Sequence, residues 1–71
     1  MTREQLDFST YCIGTLAMYL NRSQRDIFNI LKETGVLMDY IVPGYEILHT
    51  FSREYIAEDI SSILKEKGVL S

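Results

Sequence analysis

Apolar residues recur every three or four positions along most of the chain, and this spacing predicts helices. Three main helices are expected, over residues 3–20, 24–34 and 52–67, with a short helical segment over 36–42. No segment shows the alternation of apolar and polar residues around a turn that a β-hairpin needs. The pattern therefore predicts an all-α fold, a compact small helical bundle forming a single domain over residues 1–71.

The first predicted helix is apolar on more than one side. Tyr11 and Met18, seven residues apart, form a second apolar strip on the side away from the main arc. The apolar surface of this helix is therefore wider than the single stripe that packing against a core requires, which indicates that the helix makes a further contact. The main arc is expected to comprise Leu6, Cys12, Ile13, Leu16, Ala17 and Leu20, with Phe8 and Tyr19 at its edge.

Polar residues mark where the later helices begin and end. Ser23 is expected to cap the second helix, with Asp26 completing an approximate capping box. Gly35 is expected to end that helix in the left-handed conformation, and Thr50 or Ser52 to cap the last helix. The inward faces are predicted to comprise Ile27, Phe28, Ile30 and Leu31 in the second helix and Ile56, Ile60, Ile63 and Leu64 in the last, with Glu54, Glu58, Ser61 and Lys65 opposite.

The segment over residues 36–42 is short and β-branched at its ends, so its periodicity alone does not separate helix from strand. We favour a helix, because a lone strand would have no partner in this chain. Pro43-Gly44 is expected to end it. Residues 45–49 then form either one more helical turn or an irregular connector.

Residues 26–37 (DIFNILKETGVL) and 59–70 (DISSILKEKGVL) are identical at nine of twelve positions. Two such segments are fewer than the three or so that a solenoid needs to bury a continuous core. Both have an apolar stripe, a lysine near the helix end and a glycine followed by a hydrophobic residue. Convergence on one way of ending a helix and duplication therefore both remain open.

Composition narrows the classes of function. The chain carries ten acidic and seven basic residues, a net charge of −3, which argues against nucleic acid or an anionic membrane as the partner. One cysteine and one histidine exclude a disulfide framework or a Cys/His zinc site within one chain. The longest charge-free run, residues 8–21, is too short to cross a bilayer. Lacking a leader-like start, and with Cys12 in an apolar run, the protein is expected to be cytoplasmic, with no metal or cofactor.

Residues that could carry chemistry are better explained by structural roles. His49 could act as a general base with Glu46 or Asp59, but no spacing requires such a pair, and a connector histidine is favoured. Glu58 and Asp59 belong to an acidic cluster that is typical of a solvated helix face. Arg53 lies toward the apolar side of the last helix and could either extend its charged end to solvent or pair with an acid from another element. No enzymatic activity or catalytic residue is therefore expected.

The surplus of apolar and aromatic residues favours a protein-binding role. The chain has five Tyr and three Phe, and several of these lie around Pro43-Gly44. They either close a small core or centre an interaction surface. The leading hypothesis is a non-enzymatic helical interaction module whose partner is another protein or a second copy of the chain. The predicted interface comprises Tyr11, Met18, Tyr40, Tyr45 and Phe51.

The alternative is a DNA-binding transcriptional regulator of the helix-turn-helix type. Residues 20–23 form a tight link between two predicted helices, as that motif requires. Gln24, Arg25 and Asn29 at the start of the second helix could read bases. The acidic balance of the chain argues against this reading.

Three segments, residues 35–41 (GVLMDYI), 45–50 (YEILHT) and 54–60 (EYIAEDI), resemble a short bacterial family of unknown function. Its pattern is similar to GVxD[YF]I … YxxLHT … EYIxEDI, and members are often encoded beside ADP-ribosyltransferase-like proteins. The chain departs from the family at residues 42–44, where Val42-Pro43-Gly44 stands in place of a more charged helical stretch. The resemblance implies an accessory or antitoxin-like binding role without catalysis. Possible motif residues are His49, Thr50, Arg53, Glu58 and Asp59.

Overall fold

Helices form nearly all of the chain between Arg3 and Glu66. The computed structural model describes residues 1–70, and within them no strand occurs, so the all-α prediction is confirmed. The Cα radius of gyration is 10.9 Å, close to the roughly 11 Å of a compact domain of this length. The elements are α1 (Arg3–Leu20), α2 (Gln24–Thr34), a π-helix (Leu37–Ile41), α3 (Tyr45–Leu48) and α4 (Arg53–Glu66).

Side-chain caps explain where the three long helices begin. The Thr2 hydroxyl accepts a hydrogen bond from the Gln5 backbone N–H, and the Gln5 side chain accepts one from the Thr2 N–H, which is a complete capping box. Ser23 caps α2 and Ser52 caps α4, each accepting from an N–H three residues on. The prediction of Ser23 is confirmed, and of the two residues considered for the last helix Ser52 is the cap.

Left-handed backbone ends α1 and α2. Asn21, with φ 54°, follows α1, and Gly35, with φ 81°, follows α2 as predicted. The predicted capping box at Asp26 is only half formed. The Asp26 carboxylate lies 3.6 Å from the Arg22 guanidinium, forming an exposed ion pair at i,i+4 spacing.

The core lies where α2 and α4 pack against α1, with the π-helix and α3 closing one end. Most positions predicted to face inward are buried, but Leu6 is 55 % exposed. It lies on the buried side of α1, between Ile13 and Ala17 at 100° per residue, but near the start of the helix. Phe28 is 40 % exposed, because α2 buries the narrower row of Ile27 and Leu31. The fully buried side chains are Cys12, Leu16, Ile27, Leu31, Ile41, Ile56, Ile60 and Leu64.

The segment between α2 and α3 is helical, as predicted, but its turn is wide. The Val42 N–H donates to the Leu37 carbonyl five residues back, at 3.0 Å, which is the π-helical pattern. The side-chain amide of Gln5 donates to the Val42 carbonyl at 3.2 Å, so α1 satisfies an acceptor at the end of this segment. Pro43 follows, and residues 45–48 then make one helical turn rather than an irregular connector.

Ser61 is predicted to face solvent, but only 3 % of it is exposed. The face of α4 that packs against α1 is wider than the row of its large apolar residues. Ala57, beside that row, is therefore buried as well. The Ser61 hydroxyl has no hydrogen-bond partner within residues 1–70. A buried polar atom without a partner costs free energy relative to its hydrated state.

We expect Ser61→Ala to raise the free energy of unfolding by about 1 kcal/mol, because it removes the unpaired hydroxyl and improves helix propensity. The measurement is urea unfolding followed by far-UV circular dichroism. Ser62→Ala is the matched control, since Ser62 is exposed on the same helix and its change reports propensity alone. Equal effects of the two substitutions would contradict the role of burial at Ser61.

Candidate interaction surface

A groove of about 630 Å³ runs along the exposed side of α1, and other grooves of about 450 and 250 Å³ also occur on the surface. We call it the α1 groove. The first turns of α2 and α4 form its sides. Its lining residues are Tyr11, Gly14, Thr15, Ala17, Met18, Asn21, Arg22, Ser23, Gln24 and Arg53.

The helical repeat of α1 brings Tyr11, Gly14 and Met18 to the same side. Tyr11 is 38 % exposed and Met18 is 80 % exposed, so the predicted second apolar strip does lie away from the core. Gly14 lies between them, and nothing lies within 4 Å of the place a Cβ would take. The floor of the α1 groove is therefore apolar and has room for an additional side chain.

The charged side chains that line the α1 groove are basic, but one of them already has a partner. The lining includes Arg22 and Arg53 and, among the described residues, no carboxylate. Arg22 forms the ion pair with Asp26 described above, at 3.6 Å, so its charge is partly offset. The Arg53 guanidinium carbon lies 5.7 Å from the centroid of the Tyr11 ring, a cation–π contact that places this charge at the rim. Ser23 and Gln24 bring the N-terminal end of α2 to the groove, which adds a partial positive charge.

A smaller groove of about 250 Å³ adjoins the α1 groove on the side of α4. The two share Thr15, Met18 and Arg53, and the smaller one adds Glu54 and Ala57. Met18 therefore lies at the boundary of both grooves. The sequence indicated that Arg53 could pair with an acid from another element. In the structure its guanidinium group contacts the aromatic ring of Tyr11 instead.

The other aromatic residues of the predicted interface lie elsewhere. Tyr45 is half-buried and packs edge-on against Phe8, with ring centroids 5.6 Å apart, and it stacks on His49 at 4.7 Å. Phe51 lies against Tyr55 at 4.5 Å. Tyr45 therefore helps to close the core, whereas Tyr11 and Met18 share the α1 groove.

Tyr40 and Asp59 form a polar contact between the π-helix and α4. The Tyr40 hydroxyl donates a short hydrogen bond to the Asp59 carboxylate, and both residues are half-buried. Burial first, and then the hydrogen bond to Asp59, raises the pKa of Tyr40 to about 12. Asp59 is thus not the freely solvated carboxylate that the pattern predicts.

We expect Tyr40→Phe to lower the free energy of unfolding by about 1 kcal/mol, because Asp59 loses its donor. The contribution of Tyr40 to the free energy of unfolding should fall as the pH rises from 10 to 12, because the phenol has a pKa of 10 in the unfolded chain and about 12 in the folded protein. Chemical unfolding at pH 7 and absorbance titration of the phenols measure the two effects. Tyr19→Phe is the control, since Tyr19 is 54 % exposed. If the phenol that titrates at the highest pH disappeared with Tyr19→Phe and not with Tyr40→Phe, the assignment to Tyr40 would be contradicted.

The remaining motif residues each make a different contact. His49 is exposed and stacks on Tyr45, while Asp59, considered as its acid partner, accepts from Tyr40 instead. The Thr50 hydroxyl donates to the Ile47 carbonyl at 2.7 Å, and Glu58 is exposed. Within residues 1–70 no group of three His, Cys, Asp or Glu side chains is placed to hold a metal ion.

Comparison with known proteins identifies a family and no closer relative. A family model described as a protein of unknown function (DUF3791) matches residues 7–67. No curated protein and no solved structure shows significant similarity to the chain. In the part of the chain that the structure describes, every helix is too short or too polar to cross a membrane. All residues that line the α1 groove lie inside the matched range.

Proposed function

The chain belongs to the DUF3791 family of proteins of unknown function, and we propose that it is a non-enzymatic helical module that acts by binding another protein. One observation carries the proposal: Met18, 80 % exposed, lies beside an open groove that also takes in Tyr11. Exposed apolar side chains that gather around a concave surface mark interaction sites. The predicted interface residues Tyr40, Tyr45 and Phe51 remain a second candidate region.

The resemblance of residues 35–41, 45–50 and 54–60 to a short bacterial family supports an accessory or antitoxin-like role. In that role the bound protein is the product of a neighbouring gene, of the ADP-ribosyltransferase-like class. Binding in the cytoplasm is part of the proposal, because the free and fully buried Cys12 suits a reducing compartment.

The test is co-expression of the tagged chain with the neighbouring gene product, followed by size-exclusion chromatography with light scattering. We expect a stable complex that Met18→Gln weakens at least tenfold. Met38→Gln is the matched control, since Met38 is 57 % exposed but lies on the π-helix outside the α1 groove. A chain that stays monomeric and binds no neighbouring product would refute the proposal.

The alternative function is DNA binding by α2. Gln24, Arg25 and Asn29 are all exposed at the start of that helix, after a link of three residues. This arrangement supports a recognition helix. The test is gel-shift binding to the DNA upstream of the gene, with Arg25→Glu expected to abolish it. Absence of binding at low salt would dismiss this function.

A further inference from the structure

We propose that the α1 groove binds an amphipathic helix of a partner protein whose apolar side is flanked by acidic residues. This inference rests on the proposed protein-binding function and adds the chemistry of the partner. It identifies Met18 and Gly14 as the apolar contact and Arg22 and Arg53 as the charged contacts.

The charges of the groove specify an acidic partner. The chain as a whole has a net charge of −3, yet the described residues lining the α1 groove include two arginines and no carboxylate. Asp26, outside the lining, offsets part of the Arg22 charge, so Arg53 is the main charged contact. Arg53 already contacts the Tyr11 ring, so its guanidinium is positioned before a partner arrives. Aspartate or glutamate side chains beside an apolar anchor would therefore meet complementary charge.

The shape of the groove fits a helix. Gly14 leaves open space between Tyr11 and Met18, so the side chain of a partner can reach the backbone of α1. Met18 is flexible and 80 % exposed, which suits a surface that adapts to apolar anchors. The groove is more open than enclosed, whereas small-molecule sites bury most of their ligand. An amphipathic helix laid into a groove is a common mode of peptide recognition.

The same charges disfavour two other occupants. A second copy related by two-fold symmetry would bring the Arg53 side chains of both chains into one interface, where they repel because the described residues of the lining offer no carboxylate to pair with them. Nucleic acid binding draws most of its affinity from many phosphate contacts, and this groove offers two arginines on an acidic chain.

Gly14→Leu is the decisive variant, because leucine fills the open space and leaves the core untouched. Leucine also has the higher helix propensity, so the variant should fold, which circular dichroism and thermal unfolding check. The second variant, Arg22→Glu with Arg53→Glu, reverses the charges of the groove. The matched control is Arg25→Glu, which changes an exposed arginine of α2 outside the lining.

The probe is a display library of 16-residue amphipathic helices whose polar positions vary among acidic, basic and neutral residues. We expect selection on the wild-type chain to enrich Asp and Glu beside the apolar anchors. Fluorescence anisotropy of the selected peptides should then show at least tenfold weaker binding to Gly14→Leu and to the doubly reversed variant. Binding to Arg25→Glu should stay within twofold of wild type.

Each other outcome overturns the inference in a distinguishable way. If the selected peptides had no excess of acidic residues, or bound Gly14→Leu as tightly as wild type, the inference would be wrong. The chain would then be a protein-binding module that uses another surface. A wild-type dimer that Gly14→Leu dissociates would show that a second copy occupies the groove. Duplex DNA bound through Arg22 and Arg53 more tightly than any peptide would refute the inference and favour the alternative function. Selection of no peptide at all would refute the inference alone, because the proposed function is tested separately by complex formation with the neighbouring gene product.

Discussion

Replacing Leu64 by alanine is expected to lower the free energy of unfolding by about 3 kcal/mol. The Leu64 side chain is fully buried between α4 and the rest of the core. Truncation removes buried methyl groups and leaves a cavity, and such substitutions cost about 2–5 kcal/mol. At roughly 0.05–0.15 kcal/mol per residue, a chain of this length has only about 4–10 kcal/mol in total. Urea unfolding should therefore show a variant near the limit of folding, and a loss below 1 kcal/mol would contradict the packing described.

The repeated sequence offers a matched comparison for this result. Leu31 occupies the same place in residues 26–37 as Leu64 does in residues 59–70, and it is also fully buried, so Leu31→Ala should cost a similar amount. Val36 and Val69 correspond as well, but Val36 is 2 % exposed and Val69 is 40 % exposed. Val36→Ala should therefore cost about 1–2 kcal/mol, and Val69→Ala less than about 0.5 kcal/mol. Equal costs at the two valines would show that the segments are packed alike.

The two similar segments have the same structure only as far as their glycines. Gly35 and Gly68 both have φ 81°, and a fully buried isoleucine and leucine precede each of them at the same positions. The position after the isoleucine differs, since Phe28 is exposed where Ser61 is buried. After Gly35 the chain enters the π-helix and buries its valine, whereas the valine after Gly68 stays exposed. The structure that the two segments share is thus the structure that the end of an amphipathic helix requires. The residues after the glycines are identical in sequence but are packed differently.

Helix bounds were predictable because their signals are local. The capping hydroxyls of Ser23 and Ser52 bond to N–H groups three residues on, and Gly35 supplies the left-handed backbone that ends α2. These interactions need nothing from the rest of the fold. The three main helices accordingly lie within one residue of their predicted bounds.

Burial at the edges of the helices was less predictable, because it depends on which elements pack together. Leu6 and Phe28 have the right residue type for a core, but Leu6 lies near the start of α1 and Phe28 lies beyond the row that α2 presents to the core. Ser61 has the wrong residue type and is buried because α4 lies close to α1. The π-helical turn likewise ends where Gln5, distant in sequence, bonds to Val42.

The candidate site shows the same division. The spacing of Tyr11 and Met18 on one helix indicated an exposed apolar strip, and exposure confirms it. The positive rim could not be predicted, because Arg53 reaches Tyr11 only once α4 has packed on α1. The open space at Gly14 could not be predicted from the sequence either, because a glycine within a helix indicates only a lower helix propensity.

Replacing Gly44 by alanine is expected to lower the free energy of unfolding by about 2 kcal/mol. Gly44 has φ −88°, which any residue can adopt, so its role is not to supply a left-handed turn. An added Cβ would lie 2.6 Å from the Tyr40 carbonyl oxygen and 3.0 Å from the Leu48 side chain. The Gly44 N–H also donates to that carbonyl at 2.9 Å, so the backbone cannot move away without losing the bond. Overpacking of this kind costs about 1–3 kcal/mol.

Gly14→Ala is the matched control, because the same added methyl group meets nothing within 4 Å in α1. We expect it to raise the free energy of unfolding by about 0.5–1 kcal/mol through helix propensity. Urea unfolding of the two variants should therefore give shifts of opposite sign. A neutral Gly44→Ala would mean that the π-helix and α3 can separate freely, so that the close approach at Gly44 contributes nothing to the fold.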